Sequence, residues 1–343
     1  MNILVTGAGS LVGHGILRSL RNIEQQDFKI ITADPDHRAA GHWLGDHGVT
    51  IPLAKENGFI SSLQEIIAQH KVDIVFVGTD PELMKVSESE LTAIKVVSSP
   101  EVIAIGEDKW LTVEFLRQHG FPFPDSALSE NRESVHRLLE KYGFPLFAKP
   151  RIGARSVGVM KIQGQEELQH FLGQPNYIIQ EYLSGEDGEF TAGTMTYDKT
   201  CYSSIIFQRD LKDGNTYRAY LYKNLEHEKI ITQVSEKLDG VYGPLNFQYR
   251  LKNGKPVIFE INSRFSGTTP LRMAAGVNEI EMALEFFKRG KISKRTTVMS
   301  DIAILRTWSD IVVPMEQLNE FKERGVLTRP SGKYFPFKGN LQK

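Results

Sequence analysis

Two runs of alternating polar and apolar residues flank an Asn-Gly pair in segment 245–264, and this pattern constrains the fold more than any other. Alternate side chains of a strand share a face, so the segment predicts a hairpin with one apolar and one polar face. Placing the apolar faces side by side pairs odd positions with odd positions. This register predicts a three-residue turn with Gly254 at a bulge instead of a two-residue turn, and it places Gln248 opposite Glu260. The polar face carries Asn246, Gln248, Arg250, Glu260, Asn262 and Arg264.

The polar face of this hairpin has two interpretations. The acid of Glu260 and the amide oxygens of Gln248 and Asn262 suit a hard cation such as Mg²⁺, and Arg264 suits a phosphate. A plain two-sided sheet alternates in the same way and binds nothing. The hairpin alone does not decide between these interpretations.

Length and composition indicate a soluble protein of two or three domains. The chain has 343 residues, 41% hydrophobic and 24% charged, which exceeds the usual size of one core. A net charge of -1 gives no electrostatic reason to expect nucleic acid or a membrane as partner. The start of the chain indicates a strand and not a signal peptide. A single cysteine, Cys201, excludes an internal disulfide. We expect a cytoplasmic protein.

The coarse pattern of the chain changes near residue 121. Residues 1–105 alternate strand and helix signals, which is typical of a parallel sheet with helical crossovers. A β-rich region follows, in which we predict strands at 190–197, 202–208, 217–223 and 229–234 before the hairpin. Helices are predicted at 109–119, 165–172 and 279–289.

The glycine-rich segment Thr6–Gly13 follows the first predicted strand, and Asp34 ends the second. Such a loop can place backbone amides against a pyrophosphate, with the acid on a ribose, so it is compatible with an NAD-dependent reductase. Glycines at this turn also serve tight packing without any ligand. A reductase of the extended type needs Tyr-x-x-x-Lys on a helix. That spacing occurs only at Tyr334 and Lys338, where an intervening proline forbids an ordinary helix.

Two further segments suit a nucleotide phosphate and a nucleoside. Lys149 ends a strand, and the loop after it contains glycines that can close over phosphates beside a lysine and an arginine. The segment Glu181-Tyr182-Leu183 ends a strand with exposed backbone groups, and Glu189 follows as an acid for ribose hydroxyls. Each segment taken alone is more typical of an exposed basic hairpin tip or a solvated acidic turn.

The order of these segments, from Lys109 to Arg264, resembles the ATP-grasp superfamily, and within it the carbamoyl-phosphate-synthetase-like carboxylate–amine ligases. The resemblance covers roughly residues 1–290. It implies an α/β (α+β) protein in which residues 1–105 form a Rossmann-like pre-ATP-grasp domain that does not hold NAD. Residues 106–290 are expected to form the ATP-grasp domain, with a small lid subdomain at about 121–183 and a large subdomain at about 184–290. Residues 291–343 are expected to be an extension packing on it.

The resemblance also assigns nucleotide contacts. Lys109 and Lys149 match the lysines that reach the ATP phosphates, and residues 151–158 match the flap. Glu181, Tyr182 and the backbone of Leu183 match the adenine hinge, and Glu189 matches the ribose acid. The expected flap contacts are Gly153, Arg155, Ser156 and Gly158.

The metal and catalytic positions are assigned in the same way. Gln248, Glu260 and Asn262 match Mg²⁺ ligands, and Arg264, together with Lys149 and Arg155, matches the cations that steady the transferred phosphoryl group. Many members have an acid where this chain has Gln248, so one or two ions are expected, with Mn²⁺ as an alternative to Mg²⁺.

The resemblance implies an ATP-dependent ligase that activates a carboxylate as an acyl phosphate and couples it to an amine. The expected partners are small-molecule substrates, without nucleic acid or membrane, and a homodimer is one option. Arg209, Arg218 and Arg272 are the candidates for holding the substrate carboxylate. The alternatives are an enzyme that forms carbamoyl or carboxy phosphate, an NAD-dependent reductase and a non-catalytic ATP-binding protein.

Overall fold

A computed structural model describes residues 1–25, 27–153, 157–293, 298–307 and 309–335. Its strands are β1 Asn2–Val5, β2 Lys29–Asp34, β3 His47–Thr50, β4 Ile74–Phe76, β5 Ile94–Val96, β6 Ser126–Leu128, β7 Leu146–Pro150, β8 Met160–Ile162, β9 Tyr177–Glu181, β10 Glu189–Tyr197, β11 Thr200–Lys212, β12 Asn215–Tyr222, β13 Gly243–Lys252, β14 Lys255–Asn262, β15 Ala303–Leu305, β16 Asp310–Val312, β17 Val326–Thr328 and β18 Lys333–Phe335. Its α-helices are α1 Leu11–Arg21, α2 Phe59–His70, α3 Asp80–Glu88, α4 Pro100–Glu107, α5 Lys109–Gln118, α6 Arg132–Tyr142, α7 Gln165–Phe171, α8 Leu225–Lys237, α9 Thr269–Ala274, α10 Glu279–Arg289 and α11 Met315–Arg324.

The chain divides into two compact units. The first comprises Met1–Val97, Arg264–Val298 and the residues from Leu305 onward, and the second comprises Ser98–Ser263 and Met299–Ile304. None of the helices within the described ranges is long and apolar enough to cross a membrane.

A six-stranded sheet in the order β17-β3-β2-β1-β4-β5 forms the centre of the first unit. Strands β1 to β5 are parallel, as the strand–helix alternation predicts. Their apolar side chains, such as Ile3, Ile30 and Ile74, are fully buried, because parallel sheets are covered on both faces. The predicted α/β class is confirmed here.

The C-terminal residues from Leu305 onward belong to this first unit. Strand β17 pairs antiparallel with β3, from Val326 opposite Val49 to Thr328 opposite His47, and Phe321 of α11 is buried with its ring 4.7 Å from that of His42. Met299–Ile304 instead lie in the second unit, where the Leu221 N–H donates to the Ile302 carbonyl (3.0 Å). The described residues after 290 are therefore divided between the two units, and only this short segment joins the unit that contains most of the predicted 106–290 domain. A strand pairing across 275 residues leaves no local trace in a sequence.

The second unit contains two sheets, each covered by helices on one face. The six-stranded sheet has the order β14-β13-β10-β11-β12-β15, and its core includes Phe247 together with side chains of α4, α5 and α8. The four-stranded sheet has the order β6-β9-β7-β8 and packs on α6 and α7 through residues such as Leu138 and Leu168.

The β13–β14 hairpin differs from the predicted one at its turn. Lys252 pairs with Lys255, so the turn is the two-residue Asn253-Gly254, whose φ angles of 53° and 75° are those of a type I′ turn. The predicted three-residue turn is wrong. A β-bulge leaves Phe259 unpaired and shifts the register beyond it, so the predicted pairing of Gln248 with Glu260 is confirmed.

The predicted strand at 229–234 is also wrong, because these residues lie inside α8. Asn224 caps this helix by accepting hydrogen bonds from the backbone N–H groups of Glu226 and His227. His227, Ile231 and Val234 are buried at helical spacing, so the apolar face follows a period of 3.6 and not 2.

Candidate nucleotide and metal site

A cleft between the two sheets of the second unit collects most of the predicted site residues. Its walls are formed by strands β7, β9, β10, β11, β13 and β14. Lys109, the first residue of α5, also lines the cleft. The predicted residues that line it are Lys109, Lys149, Gly153, Glu181, Tyr182, Leu183, Glu189, Arg209, Gln248 and Glu260.

Two buried lysines mark one end of the cleft. Lys109 Nζ donates to the carbonyl of Gly153 (2.8 Å), and Lys149 Nζ donates to the carbonyl of Phe259 (3.3 Å) and lies 5.3 Å from the centre of that ring. Burial lowers the pKa of both lysines, to about 7 for Lys149, whereas the Glu260 carboxylate raises both. Two desolvated lysine side chains at one place form a favourable site for a phosphate, which would stabilise their charged forms.

Glu260 lies beside these lysines and receives two amide groups. Its Oε1 accepts from Gln248 Nε2 (2.9 Å) and from Asn262 Nδ2 (2.9 Å). Within the described residues no three His, Cys, Asp or Glu side chains cluster as metal ligands. One carboxylate and two amides nevertheless belong to the ligand class that Mg²⁺ prefers, so the donor set fits a hard cation bound together with phosphate oxygens.

The predicted adenine hinge lies at the end of β9. The Glu181 carboxylate accepts from the backbone N–H of Asp125 (2.9 Å) and pairs with Lys252. Lys161 Nζ lies 4.2 Å from the centre of the Tyr182 ring, and the Leu183 carbonyl accepts from Arg250 Nη1 (2.8 Å). The hinge backbone is thereby fixed at the cleft wall, where a base could stack.

Glu189 is held by two arginines. Its Oε1 accepts from Arg209 Nη2 (2.7 Å), and its Oε2 accepts from Arg250 Nε (3.1 Å) and Nη2 (2.9 Å). Burial acts to raise the pKa of Glu189, but the two guanidinium groups outweigh it, and the net pKa lies below its usual value. Glu189 is therefore an ionised acceptor in the cleft.

The three candidate substrate arginines have different surroundings. Arg209 lies in the cleft with a 7% exposed side chain. The side chain of Arg218 is 52% exposed and lies 3.6 Å from Asp210, and Arg272 is completely buried in the first unit against Glu279 (2.6 Å). Arg218 and Arg272 were therefore wrong candidates: the former is an outward-facing strand residue, and the latter forms an internal ion pair.

Several other predicted residues lie outside the set that lines the cleft. Arg264 belongs to the first unit, where its guanidinium forms a two-pronged pair with Asp80. Gly158 has a φ of 73°, and a side chain there would meet Pro150 at 2.9 Å. Arg155 and Ser156 lie outside the described residues. The roles predicted for these four residues remain predictions.

Phe259 and Arg250 line the cleft although neither was predicted to bind a ligand. Strict alternation puts Phe259 on the face opposite Glu260, but the bulge turns both residues into the site. Arg250 could have been found, because it lies two residues after Gln248 on the same polar face. The tip of the β11–β12 hairpin, at Leu211 and Gly214, also contributes to the cleft wall.

The glycine loop of the first unit makes its hydrogen bonds internally. The Gly9 N–H donates to Asp34 Oδ2 (2.7 Å), and the Gly13 N–H donates to Ser10 Oγ (2.8 Å). A side chain at Gly13 would meet the carbonyl oxygen of Gly7 at 2.1 Å. These glycines are needed for close packing. Asp34, the acid expected to bind a ribose, already accepts a hydrogen bond from the loop. The geometry disfavours the dinucleotide interpretation.

Comparison with known proteins shows what the segment that forms this cleft is similar to. Residues 106–268 match the family described as the ATP-grasp domain. A carbamoyl phosphate synthase large chain from Caldanaerobacter subterraneus subsp. tengcongensis is 23% identical over 312 residues, which cover 82% of this chain and 28% of that relative.

Solved structures resemble most of the chain. N5-carboxyaminoimidazole ribonucleotide synthetase from Thermus thermophilus has a TM-score of 0.68 at 14% identity, covering 97% of this chain and 92% of that one. The biotin carboxylase domain of 2-oxoglutarate carboxylase from Hydrogenobacter thermophilus, solved with MgADP and bicarbonate, has a TM-score of 0.67 at 11% identity, covering 85% and 70%. At these identities the likeness establishes the fold.

Proposed function

We propose that the protein is an ATP-dependent carboxylate–amine ligase, because residues 106–268 match the family described as the ATP-grasp domain. It phosphorylates a substrate carboxylate with the γ-phosphate of ATP, releasing ADP, and an amine then displaces phosphate from the acyl phosphate to form an amide. The chain spans 28% of the length of the carbamoyl phosphate synthase relative that it matches. The proposed activity therefore rests on the site found in this chain and is not taken over from that relative.

The convergence of Lys109, Lys149 and Glu260 at one end of the cleft is the observation that supports this proposal. Phosphoryl transfer gathers negative charge on the phosphate oxygens and needs positioned cations more than a protein nucleophile. The lysines can neutralise that charge, and Glu260 with its neighbouring amides can hold Mg²⁺. When bound there, Mg²⁺ would neutralise part of the negative charge of the phosphates.

The opposite end of the cleft suits the nucleoside. The hinge at Tyr182 and Leu183 offers an aromatic side chain and backbone groups, and Glu189 is an ionised acceptor for hydroxyls. Arg264 and Arg155 are proposed to steady the transferred phosphoryl group, and Gly153, Ser156 and Gly158 are proposed as flap contacts. A single ion at Glu260 is the minimum requirement, with Mn²⁺ able to replace Mg²⁺.

The activity is tested by measuring ADP release with Mg·ATP and pairs of amino acids or small acids with amines. Release that requires both members of a pair identifies the ligase. We expect Glu260→Gln to lower the rate by about 10²–10³, the usual cost of removing one preorganised charge. Arg218→Ala, at an exposed position, is the matched control and should keep the wild-type rate. ADP release by Glu260→Gln at the wild-type rate would contradict the assignment.

Bicarbonate is a second candidate for the activated carboxylate. This candidate is supported by one solved structure that resembles the chain, a biotin carboxylase domain described in complex with MgADP and bicarbonate. Bicarbonate-dependent ADP release without any other acid would favour an enzyme that forms carboxy or carbamoyl phosphate. ADP release with one organic acid alone would instead indicate a kinase.

We also propose that the protein acts in the cytoplasm on small molecules, without nucleic acid or membrane, and that it forms a homodimer. One structural neighbour is a biotin carboxylase domain described as a dimer. Light scattering coupled to size-exclusion chromatography gives the mass in solution, and a value equal to one chain would contradict the dimer.

A further inference from the structure

Lys109 is a buried lysine at the first position of helix α5. It is 8% exposed, and burying a charged group is unfavourable unless acceptors compensate it. The positive end of the helix dipole also disfavours a cation in the first turn. A side chain that breaks two local rules at once is typical of a functional position. The contacts that hold this lysine therefore bear on the phosphate end of the cleft.

The loop after β7 holds Lys109 through backbone groups. The backbone N–H of Lys109 donates to the Arg151 carbonyl (3.0 Å). Its ammonium group donates to the Gly153 carbonyl (2.8 Å) and, at 3.4 Å, to the Arg151 carbonyl. Asp108 and Ile152 form an isolated antiparallel β-bridge beside these contacts. The start of α5 is thereby attached to the chain that leaves β7.

A side-chain ion pair fixes the same junction. Arg151 Nε donates to Asp108 Oδ1 (3.1 Å) and its Nη2 donates to Asp108 Oδ2 (2.5 Å), which is the two-pronged geometry of a strong arginine–carboxylate pair. The two side chains are 27% and 12% exposed, so solvent screens the pair less than it would at the surface. Asp108 Oδ1 also accepts from the Trp110 N–H (2.9 Å) and caps α5.

The ion pair connects the two elements that carry the lysines of the cleft. Lys109 directly follows Asp108 in the sequence, and Lys149 precedes Arg151 by two residues. Neither Asp108 nor Arg151 is among the described residues that line the cleft, whereas both lysines are. Any effect of the pair on a ligand must therefore pass through the lysines.

We propose that Asp108 and Arg151 are positioning residues that hold Lys109 and Lys149 at a fixed separation for the phosphates of the nucleotide. The pair joins the first turn of α5 to the end of β7, and each of these elements carries one lysine. This inference rests on the proposed function, since it takes the two lysines as phosphate ligands. Its consequence is that loss of the pair weakens binding of the phosphates and leaves binding of the nucleoside unchanged.

The experiment compares the affinities of ADP and adenosine for the full-length protein by calorimetry with Mg²⁺ present. We expect Arg151→Met to weaken ADP binding by about tenfold or more, the size expected when a hydrogen bond between charged groups is lost. Adenosine affinity should stay at the wild-type value. Equal losses for the two ligands would show a general disturbance of the fold and would overturn the inference.

Arg137→Met is the matched control. Arg137 also pairs with an acid of the same unit, Glu133, but both side chains are exposed on α6. Its loss should leave the affinities for ADP and adenosine unchanged. A loss of ADP affinity equal to that of Arg151→Met would show that removing any arginine of this unit weakens ADP binding, which would contradict the role of the Asp108–Arg151 pair.

Asp108→Asn separates positioning from charge. Asparagine still caps a helix, so α5 keeps its cap while the two-pronged ion pair is lost. Removing a negative charge near the phosphates would by itself tighten ADP binding, whereas loss of positioning weakens it. We expect this variant to bind ADP about tenfold more weakly than the wild type. Tighter ADP binding would mean that Asp108 acts only through its charge, and the inference would be wrong.

The double variant, with Asp108→Asn and Arg151→Met together, tests whether the two side chains act through one contact. Once the pair is broken, the second substitution should add little, so the double variant should lose no more ADP affinity than either single variant. Losses that multiply would show two independent roles and would contradict the inference. Thermal unfolding of each variant checks that it is folded.

The outcomes separate the inference from the proposed function. If the wild type binds neither ADP nor adenosine, the nucleotide site and the inference are both wrong. If the wild type binds both ligands and the Asp108 and Arg151 variants bind ADP with wild-type affinity, the inference is wrong and the nucleotide site stands.

Discussion

Lys149 lies almost wholly out of solvent, with 4% of its surface exposed, and its ammonium group faces the Phe259 ring. Burial lowers its pKa to about 7, even though Glu260 opposes that change. The side chain therefore changes charge within the physiological range. A phosphate beside it favours the charged form, so nucleotide binding should draw a proton onto Lys149.

The first prediction concerns pH. Below pH 7 Lys149 is already charged, whereas above pH 7 it must take up a proton before it can form an ion pair with a phosphate. We expect the ADP affinity of the wild type to weaken above pH 7, with a limit of about tenfold per pH unit for one proton. Calorimetry in buffers of different ionisation enthalpy counts the protons taken up.

Lys149→Arg is the control for this prediction. A guanidinium group stays charged throughout this range, so this variant should show only the pH dependence that belongs to ADP itself. Equal proton uptake by the wild type and the variant at pH 8 would show that Lys149 does not titrate on binding.

The β13–β14 hairpin shows at the scale of one element what a sequence can predict. Alternation correctly places Gln248, Glu260 and Asn262 on one face, because side chains of a strand have a period of two. The position of the bulge could not be predicted, since it depends on packing across the whole sheet. The same limit explains Phe259, whose place in the cleft follows from the bulge and not from its own neighbours in sequence.

Other elements also separate what local sequence predicts from what depends on contacts in the folded protein. The helix at 279–289 and the strand at 177–181 have strong local signals and are observed nearly as predicted. Segment 229–234 contains a short apolar run that fits a strand or a helix, and the Asn224 cap decides for the helix. The sequence could not distinguish Arg209 from Arg218 and Arg272, because the three arginines differ only in the residues that they contact in the folded protein.

The turn of this hairpin gives a prediction for stability. Gly254 has a φ of 75°, and a side chain added there would meet no atom within 4 Å, so backbone strain is the main cost of substitution. We expect Gly254→Ala to lower the free energy of unfolding by about 1–2 kcal/mol, measured from the urea midpoint at unchanged slope. ADP affinity should be unaffected.

Gly164→Ala is the matched control for the turn. This glycine is also in open space, but its φ of -163° is ordinary extended backbone. The substitution there should change stability by much less. Equal losses for the two variants would show that the positive φ of Gly254 is not the cause.

At the scale of the whole molecule, the two units offer two sites that a nucleotide could use, and their geometries differ. The cleft of the second unit presents buried cations and an ionised acid. The glycine loop of the first unit has its N–H groups bonded to Asp34 and Ser10. We expect ADP with Mg²⁺ to raise the melting temperature by several degrees at a hundredfold excess over Kd.

NADH is the comparison ligand for that prediction. We expect it to leave the melting temperature unchanged and to show no enhanced fluorescence with the protein. Tight NADH binding, abolished by Asp34→Ala but not by Glu260→Gln, would restore the reductase interpretation.

The pairing of β17 with β3 also has a consequence for the order of synthesis on the ribosome. The bonded residues Thr50 and Gly325 lie 275 positions apart, which at about 5–20 residues per second is a delay of roughly 14–55 s. During that interval the β3 edge is made but its final strand is not. An open sheet edge is a template for pairing with other chains. The growing chain therefore passes through a period in which crowded polysomes would favour misassembly at β3, and a chaperone that shields strands would act there.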